Sequence, residues 1–156
     1  RLAPNDAAAR NALAMLLLAN GEFAEGWDAY EARLELPDSP PPPRTGAPCW
    51  NGEPLRDRVL LVTAEQGLGD EIMFASIVPE VAASARHCIL QCDPRLVGLY
   101  RRSFDCEVVG TPRRPQVPAV DEVRDVHGFD VWSPVASLAR IRRRTLEQFP
   151  AHAGYL

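Results

Sequence analysis

The chain has 156 residues, of which 46% are hydrophobic and 24% charged, and its formal net charge is −4. These values are ordinary for a globular protein, and a chain of this length can bury a sizeable core in one domain, with or without an appendage. The acidic balance argues against general binding of nucleic acid, and no apolar run approaches the roughly 18 residues of a membrane span.

The first part of the chain predicts a helical hairpin. Apolar periodicity indicates helices over 5–20 and 23–36, and Gly21 between them suits the left-handed residue that follows a helix. The large and small packing positions of the tetratricopeptide repeat are matched by Leu13, Leu17, Phe23, Gly26 and Tyr30. Arg33 stands where that repeat has a small residue. A repeat and an ordinary hairpin that caps the next domain both remain open.

Prolines are dense over 37–57 and include four in a row at 40–43, a composition that favours extended geometry and predicts a semi-rigid linker. Strand and helix patterns then alternate to the end of the chain. The predicted strands are 58–63, 88–92, 106–109 and 129–132, and the predicted helices are 69–85 with a kink or restart at Pro79, 93–103, and 137–144. Such units imply an α/β fold with a parallel sheet between helices.

The junction between the first strand and its helix is the strongest candidate site. Gly67 and Gly69 allow close approach of backbone N–H groups to a ligand at a helix start, and Asp70 lies in the first turn of that helix. From the residues alone, Asp70 is either a helix cap or a general base. Glu65 and Gln66, at the strand end, either orient an acceptor hydroxyl or satisfy amides of the turn.

The four cysteines, Cys49, Cys88, Cys92 and Cys106, form no C-x-x-C motif and have no histidines at zinc-site spacing. We expect no metal site, and reduced, buried thiols in a cytoplasmic protein. The arginines at 142–144 either bind an acidic group or are solvated residues near a helix end, and we favour the second interpretation. His87, His127 and His152 are expected in surface or loop positions.

Several motifs in the same order resemble a bacterial family of tetratricopeptide proteins with a C-terminal glycosyltransferase-like region, similar to the heptosyltransferases. They lie at 21–33 (Gly-x-Phe-x-x-Gly-Trp), 48–55 (Pro-x-Trp-x-Gly), 65–70 (Glu-Gln-Gly-x-Gly-Asp), 129–130 (Phe-Asp), 137–138 (Ser-Leu) and 155–156 (Tyr-Leu). Trp132 and Ala139 depart from the histidine and proline that are common in the family.

The resemblance implies a domain order of a hairpin over 1–36, a linker over 37–57, and over 58–156 the Rossmann-like acceptor-side half of a GT-B glycosyltransferase. Asp70 would be the catalytic base, and Glu65, Gln66, Gly67, Leu68 and Gly69 would bind the substrate. The donor half would be missing, so this chain alone should not turn over. The implied partners are a nucleotide sugar bound by the missing half, and an acceptor glycan or protein, with no cofactor.

Two alternatives belong to other classes. In the first, the chain is a non-catalytic interaction module whose hairpin docks a protein partner. In the second, Asp93 near the end of the second strand contacts the ribose of a dinucleotide, although the third glycine of the dinucleotide fingerprint is replaced by Ile72.

Overall fold

A computed structural model of the chain describes residues 6–39, 41–43, 45–111, 128–151 and 154–156. The chain divides into two compact units, the first formed by Arg1–Ser39 with Ala139–His152 and the second by Pro40–Leu138 with Ala153–Leu156. His127 and His152 lie outside the described residues, as does most of the predicted loop after the third strand.

The first unit contains the predicted helical hairpin. Helix α1, Ala7–Ala19, begins at Asp6, whose Oδ1 accepts the Ala8 amide at 2.9 Å, and helix α2, Phe23–Tyr30, follows a turn at Gly21 with a φ of 82°. The second helix is shorter than predicted because residues Glu31–Glu35 form a 3-10 helix.

Arg33 explains this early end. Its Nη1 donates to the Tyr30 carbonyl at 3.1 Å and to Glu31 at 2.9 Å, and its guanidinium lies 4.6 Å from the centre of the Tyr30 ring. The Tyr30 carbonyl would accept the amide of residue 34 in a continued α-helix. A buried arginine therefore takes the acceptor that the next helical turn needs.

The second unit is a Rossmann-like α/β fold, as predicted. Its strands are β1 Val59–Thr63, β2 His87–Cys92, β3 Glu107–Gly110 and β4 Val131–Pro134, all parallel to their neighbours in the order β3-β2-β1-β4. The flanking helices are α3 Leu68–Ala75, α4 Val78–Ser84 and α5 Val97–Ser103, and α6 Ser137–Arg142 follows β4.

The core centres on β1, which is paired on both edges. Leu60, Leu61 and Val62 are completely buried, as a near-continuous apolar strand in a parallel sheet should be. On one face Val59, Leu61 and Ile89 cluster with Val109, Phe129 and Trp132.

The structure confirms one predicted boundary and shifts another. The helix predicted over 69–85 restarts at Val78, as predicted, with Pro79 in the first turn of the second helix, where the missing N–H costs nothing. The last strand begins at Val131 rather than 129, since Asp130 uses its side chain to accept the Val59 amide at 2.7 Å.

The outer edge of β4 contacts the proline-rich segment. Trp50 N–H donates to the Trp132 carbonyl at 2.7 Å, and Trp132 N–H donates to the Pro48 carbonyl at 3.2 Å. The Trp50 indole is buried and donates to the Glu53 carbonyl at 2.8 Å, so it anchors the turn that follows it. Within the described ranges, every helix is too short or too polar to cross a bilayer.

The close contact of α1 with α2 depends on a missing side chain. A Cβ at Gly26 would lie 2.7 Å from Leu18 Cδ2, whereas a Cβ at Gly98 in α5 would meet nothing within 4 Å. We therefore expect Gly26→Ala to lower the free energy of unfolding by about 1–2 kcal/mol through overpacking. Gly98→Ala should be neutral or stabilising by about 0.5 kcal/mol.

Urea unfolding followed by far-UV circular dichroism measures both effects. Equal stability of the two variants would show that Leu18 moves aside at no cost.

Candidate functional site

The strand order places a topological switch point between β1 and β4. From β1 the chain moves outward to β2 and β3, and it then returns to the other side of β1 as β4. In open α/β sheets, ligands bind in the crevice outside the carboxyl ends of the two strands that flank such a point. The loop after β1 and the first turn of α3, which together carry the predicted site residues 65–70, therefore lie at the expected position.

Glu65 holds the two sides of the switch point together. It is 4% exposed, and its Oε1 accepts the amide of Ala136, which follows β4, at 2.9 Å. Its Oε2 accepts from Gln66 Nε2 at 3.4 Å. The structure thus places Glu65 as a brace between the carboxyl ends of β1 and β4.

Gln66 is the single described residue other than glycine with a positive φ, at 59°. The left-handed region costs an L-residue with a Cβ about 1–2 kcal/mol, and such strain concentrates at functional sites. The side chain of Gln66 is partly exposed beside Glu65.

Asp70 completes the turn. Its Oδ2 accepts the Gly67 amide at 2.8 Å, a side chain in the first helical turn bonding back to the residue that precedes the helix. Leu68 begins α3, Gly69 is exposed, and a Cβ at Gly69 would meet nothing within 4 Å. The geometry matches the cap interpretation of Asp70, and among the described residues Gly67 is the one donor to its carboxylate. A role as general base stays a prediction.

A second buried carboxylate, Glu71, was missed by the sequence reasoning. It is 2% exposed and accepts the Asp93 amide, beyond the end of β2, at 2.8 Å. Asp93 in turn accepts from Arg95 Nε at 2.9 Å and Nη2 at 2.8 Å. Glu71 lies three residues before the buried Phe74 and therefore on the same face of α3. The helical spacing of the buried residues would have predicted its burial.

Burial and the charge of Glu71 raise the pKa values of two neighbouring side chains. Burial, with Glu71 adding to it, raises the pKa of the Cys92 thiol to about 12 and raises that of the Tyr100 hydroxyl above its usual value. Both groups therefore stay protonated at neutral pH. The Tyr100 hydroxyl is buried without a hydrogen-bond partner among the described residues.

The other candidates lie elsewhere. The favoured interpretation of the arginines as solvated is wrong for Arg143, which is 3% exposed, and Arg144 is paired with Asp28 through bonds of 2.9 and 3.0 Å. His87 is exposed as predicted, and its Nε2 contacts Glu107 at 2.9 Å. In the part of the chain that the structure describes, no three His, Cys, Asp or Glu side chains are grouped to hold a metal ion.

One curated relative matches the chain over most of its length. It is Protein FlbA of Caulobacter vibrioides, which is 34% identical over 155 residues that cover 93% of this chain and 26% of the relative. The chain thus spans about a quarter of the length of this relative. No protein-family model matches the chain. No solved structure matches it either.

These findings correct the resemblance drawn from the motifs. The relative is named Protein FlbA and carries no glycosyltransferase name, and no tetratricopeptide or glycosyltransferase family model matches. The assignment to tetratricopeptide proteins with a glycosyltransferase-like region is therefore wrong, and so is sugar transfer from a nucleotide sugar as the function. Several motif residues have structural roles instead: Gly26 admits Leu18, Trp50 anchors a turn, and Asp130 accepts the Val59 amide.

The brace at Glu65 gives a prediction of stability. Glu65→Ala leaves the buried Ala136 amide without this acceptor and should lower the free energy of unfolding by about 1–3 kcal/mol. Glu65→Gln keeps a carbonyl oxygen in place and should cost less than about 1 kcal/mol. Urea unfolding and hydrogen exchange of the Ala136 amide measure the two variants, and equal losses would contradict the brace.

The Asp28–Arg144 pair gives a prediction of pH dependence. The hydrogen bond from Arg144 lowers the pKa of the Asp28 carboxyl below its ordinary value. The pair therefore stabilises the fold above the ordinary pKa of aspartate, and this contribution is lost as the pH falls through the lowered pKa. Since the two side chains are 50% and 39% exposed, we expect Asp28→Asn to cost only about 0.2–1 kcal/mol at neutral pH.

At about pH 2.5, below the ordinary pKa of aspartate, the cost of Asp28→Asn should shrink. Asp38→Asn, at an exposed position of the same unit, is the control and should change stability at neither pH. A cost that does not depend on pH would assign the effect to packing rather than to charge.

Proposed function

We propose that the loop 64–70 at the carboxyl edge of the sheet binds a small neutral or cationic molecule that carries hydroxyl or amino groups. The observation that carries this proposal is the position of the strained, partly exposed Gln66 beside the switch point between β1 and β4. Strain of this kind persists where surrounding structure holds it, and its concentration at binding loops supports a ligand contact.

The charges around the loop support this class of ligand. Asp70 presents a carboxylate at the turn, and the carboxylates of Glu65 and Glu71 are buried close by in sequence. An anion would be repelled by this acidic group, although a helix start alone attracts anions. A hydroxyl or amino group can donate to Asp70 and, where it carries a lone pair, accept from an amide of the first helical turn.

The residues have distinct roles in this proposal. Asp70 accepts a hydrogen bond from the ligand, the exposed Gly67 and Gly69 allow close approach of the backbone, and Gln66 offers an amide side chain. Leu68 supplies one wall of the loop. Glu65 positions the loop by its bond to Ala136 and does not contact the ligand.

Two expectations from the sequence stay predictions. A protein partner for the helical hairpin would use the exposed apolar side chains of α1, among them Leu13, Met15 and Leu16. A cytoplasmic location is supported by the four cysteines, all of which are free thiols.

The proposal is tested by a fragment screen followed by amide chemical shifts. The probes are neutral and cationic fragments with hydroxyl or amino groups, and inorganic phosphate serves as the anionic comparator. We expect a fragment to shift the amides of residues 64–70 and 135–136, and phosphate to shift none of them. Asp70→Asn should weaken binding of that fragment by about tenfold or more, because a hydrogen bond to a charged acceptor contributes about 1.5–3 kcal/mol.

Matched variants separate binding from folding. Asp57→Asn makes the same chemical change at an exposed turn and should leave affinity unchanged. Gln66→Gly removes the amide side chain, so it should weaken binding of the fragment. It also relieves the strain of the positive φ, so it should not lower stability. The proposal is overturned if the fragments shift only amides in other regions. It is also overturned if phosphate binds Asp70→Asn more tightly than the fragments bind the unaltered chain.

A further inference from the structure

Two cysteines lie side by side at the edge of the sheet, Cys88 within β2 and Cys106 immediately before β3. The register of β2 with β3 pairs Ile89 with Glu107, and the preceding residues are Cys88 and Cys106. Residues paired across a sheet project to the same face, and adjacent strands lie about 4.8 Å apart. This spacing falls within the Cα separations of about 4.4–6.8 Å that disulfides span.

The two thiols also influence each other's titration. Their interaction lowers the pKa of the Cys106 thiol and, together with burial, raises that of the Cys88 thiol. Cys106 is also the more accessible of the two, since Cys88 is buried and Cys106 is half-buried.

We propose that Cys88 and Cys106 form a reversible disulfide that fastens the edge strand β3 to β2, with Cys106 as the attacking thiolate and Cys88 as the resolving thiol. The co-reactant is a low-molecular-weight disulfide such as oxidised glutathione. This inference is independent of the ligand proposed for the loop 64–70.

The exchange takes place in two balanced steps. The Cys106 thiolate attacks one sulfur of the small disulfide, forms a mixed disulfide and expels one thiolate. Cys88 then loses its proton and attacks the Cys106 sulfur, which expels the second thiolate. The two thiol protons of the protein end on the two released small thiols, so the protein is oxidised and the small disulfide is reduced by two electrons.

The other two cysteines, Cys92 and Cys49, differ from this pair in burial and in their expected reactions. Cys92 is buried beyond the middle of β2, where its register partner is Gly110. Burial raises the pKa of its thiol to about 12, which disfavours attack. Cys49 is exposed, so the expectation of buried thiols is wrong for this residue. Because it can form a mixed disulfide, its reaction shows that the oxidant is active.

The location of the bond gives it a structural effect. Among the residues that the structure describes, β3 is the edge strand of the four-stranded sheet and pairs with β2 alone. Edge elements open locally more readily than central ones. A bond between Cys88 and Cys106 closes the β2–α5–β3 segment into a loop and should suppress its opening.

The test treats the reduced, unaltered chain with oxidised glutathione, blocks the remaining thiols by alkylation and maps tryptic peptides. Cleavage after arginine releases residues 87–95 and 103–113, so the expected product is a cross-linked pair of these peptides with two hydrogen atoms lost. Fragmentation should place the bond at Cys88, and Cys49 should carry glutathione. In a parallel sample, dithiothreitol added before alkylation should restore all four thiols.

Variants test the order of the two steps. In Cys88→Ala, Cys106 should accumulate as the mixed disulfide with glutathione. In Cys106→Ala, Cys49 alone should react. Cys92→Ala should give the same cross-link as the unaltered chain, and circular dichroism verifies that each variant folds.

Hydrogen exchange reports the effect on the edge strand. The β3 amides of the oxidised chain should exchange more slowly than those of the reduced chain, by a factor on the order of ten. Three outcomes would each overturn the proposal. They are a bond from Cys106 to Cys92, a mixed disulfide that persists at Cys106 while Cys88 is alkylated, and no reaction at Cys106. The peptide map of the unaltered chain distinguishes these outcomes even if a variant does not fold.

Discussion

Two buried carboxylates fix the carboxyl edge of the sheet. Glu65 accepts the Ala136 amide beyond β4, and Glu71 accepts the Asp93 amide beyond β2. Each bond joins segments that are distant in sequence, at the edge where the strands end and the loops diverge. Because an unpaired buried amide or carboxylate is costly, this pair of bonds holds the loop 64–70 in one conformation, including the positive φ of Gln66. The candidate site depends on this bracing more than on any property of the exposed residues themselves.

The sequence predicted an element correctly wherever a single local pattern determined that element. The continuous apolar run of β1 and the alternation of strands with helices predicted the parallel sheet, and Gly21 predicted the turn of the hairpin. The misplaced boundaries were decided by side-chain bonds to the backbone. Arg33 ends α2 through a local bond to the Tyr30 carbonyl, three residues earlier. Asp130 accepts the amide of Val59, which is distant in sequence, so that β4 begins later than predicted. Glu71 was overlooked because its acceptor role exists only when β2 is in place.

The fold explains why the family resemblance was misleading. Each of its clearest motifs contains residues that the fold itself requires: a glycine where two helices touch, an indole that anchors a turn, an aspartate that accepts a strand amide. Such residues can be shared by proteins with different activities, because they stabilise the scaffold and not a reaction. Function has to be argued from the groups that the scaffold leaves accessible, which here are Gln66, Gly69 and Asp70.

The loop at Asp70 and the pair at Cys88 lie toward opposite ends of the same parallel sheet. Cys88 is the second residue of β2, near the amino ends of the strands, whereas the loop 64–70 follows the carboxyl end of β1, in register with the end of β2. About four residues of a buried strand, at about 3.3 Å each, separate the two levels. A ligand at the loop therefore does not reach the thiols, and a disulfide at the edge strand leaves the bonds of Glu65 intact. Each can be present without the other, so the sheet can serve both as a rigid support for a ligand loop and as the site of a reversible cross-link.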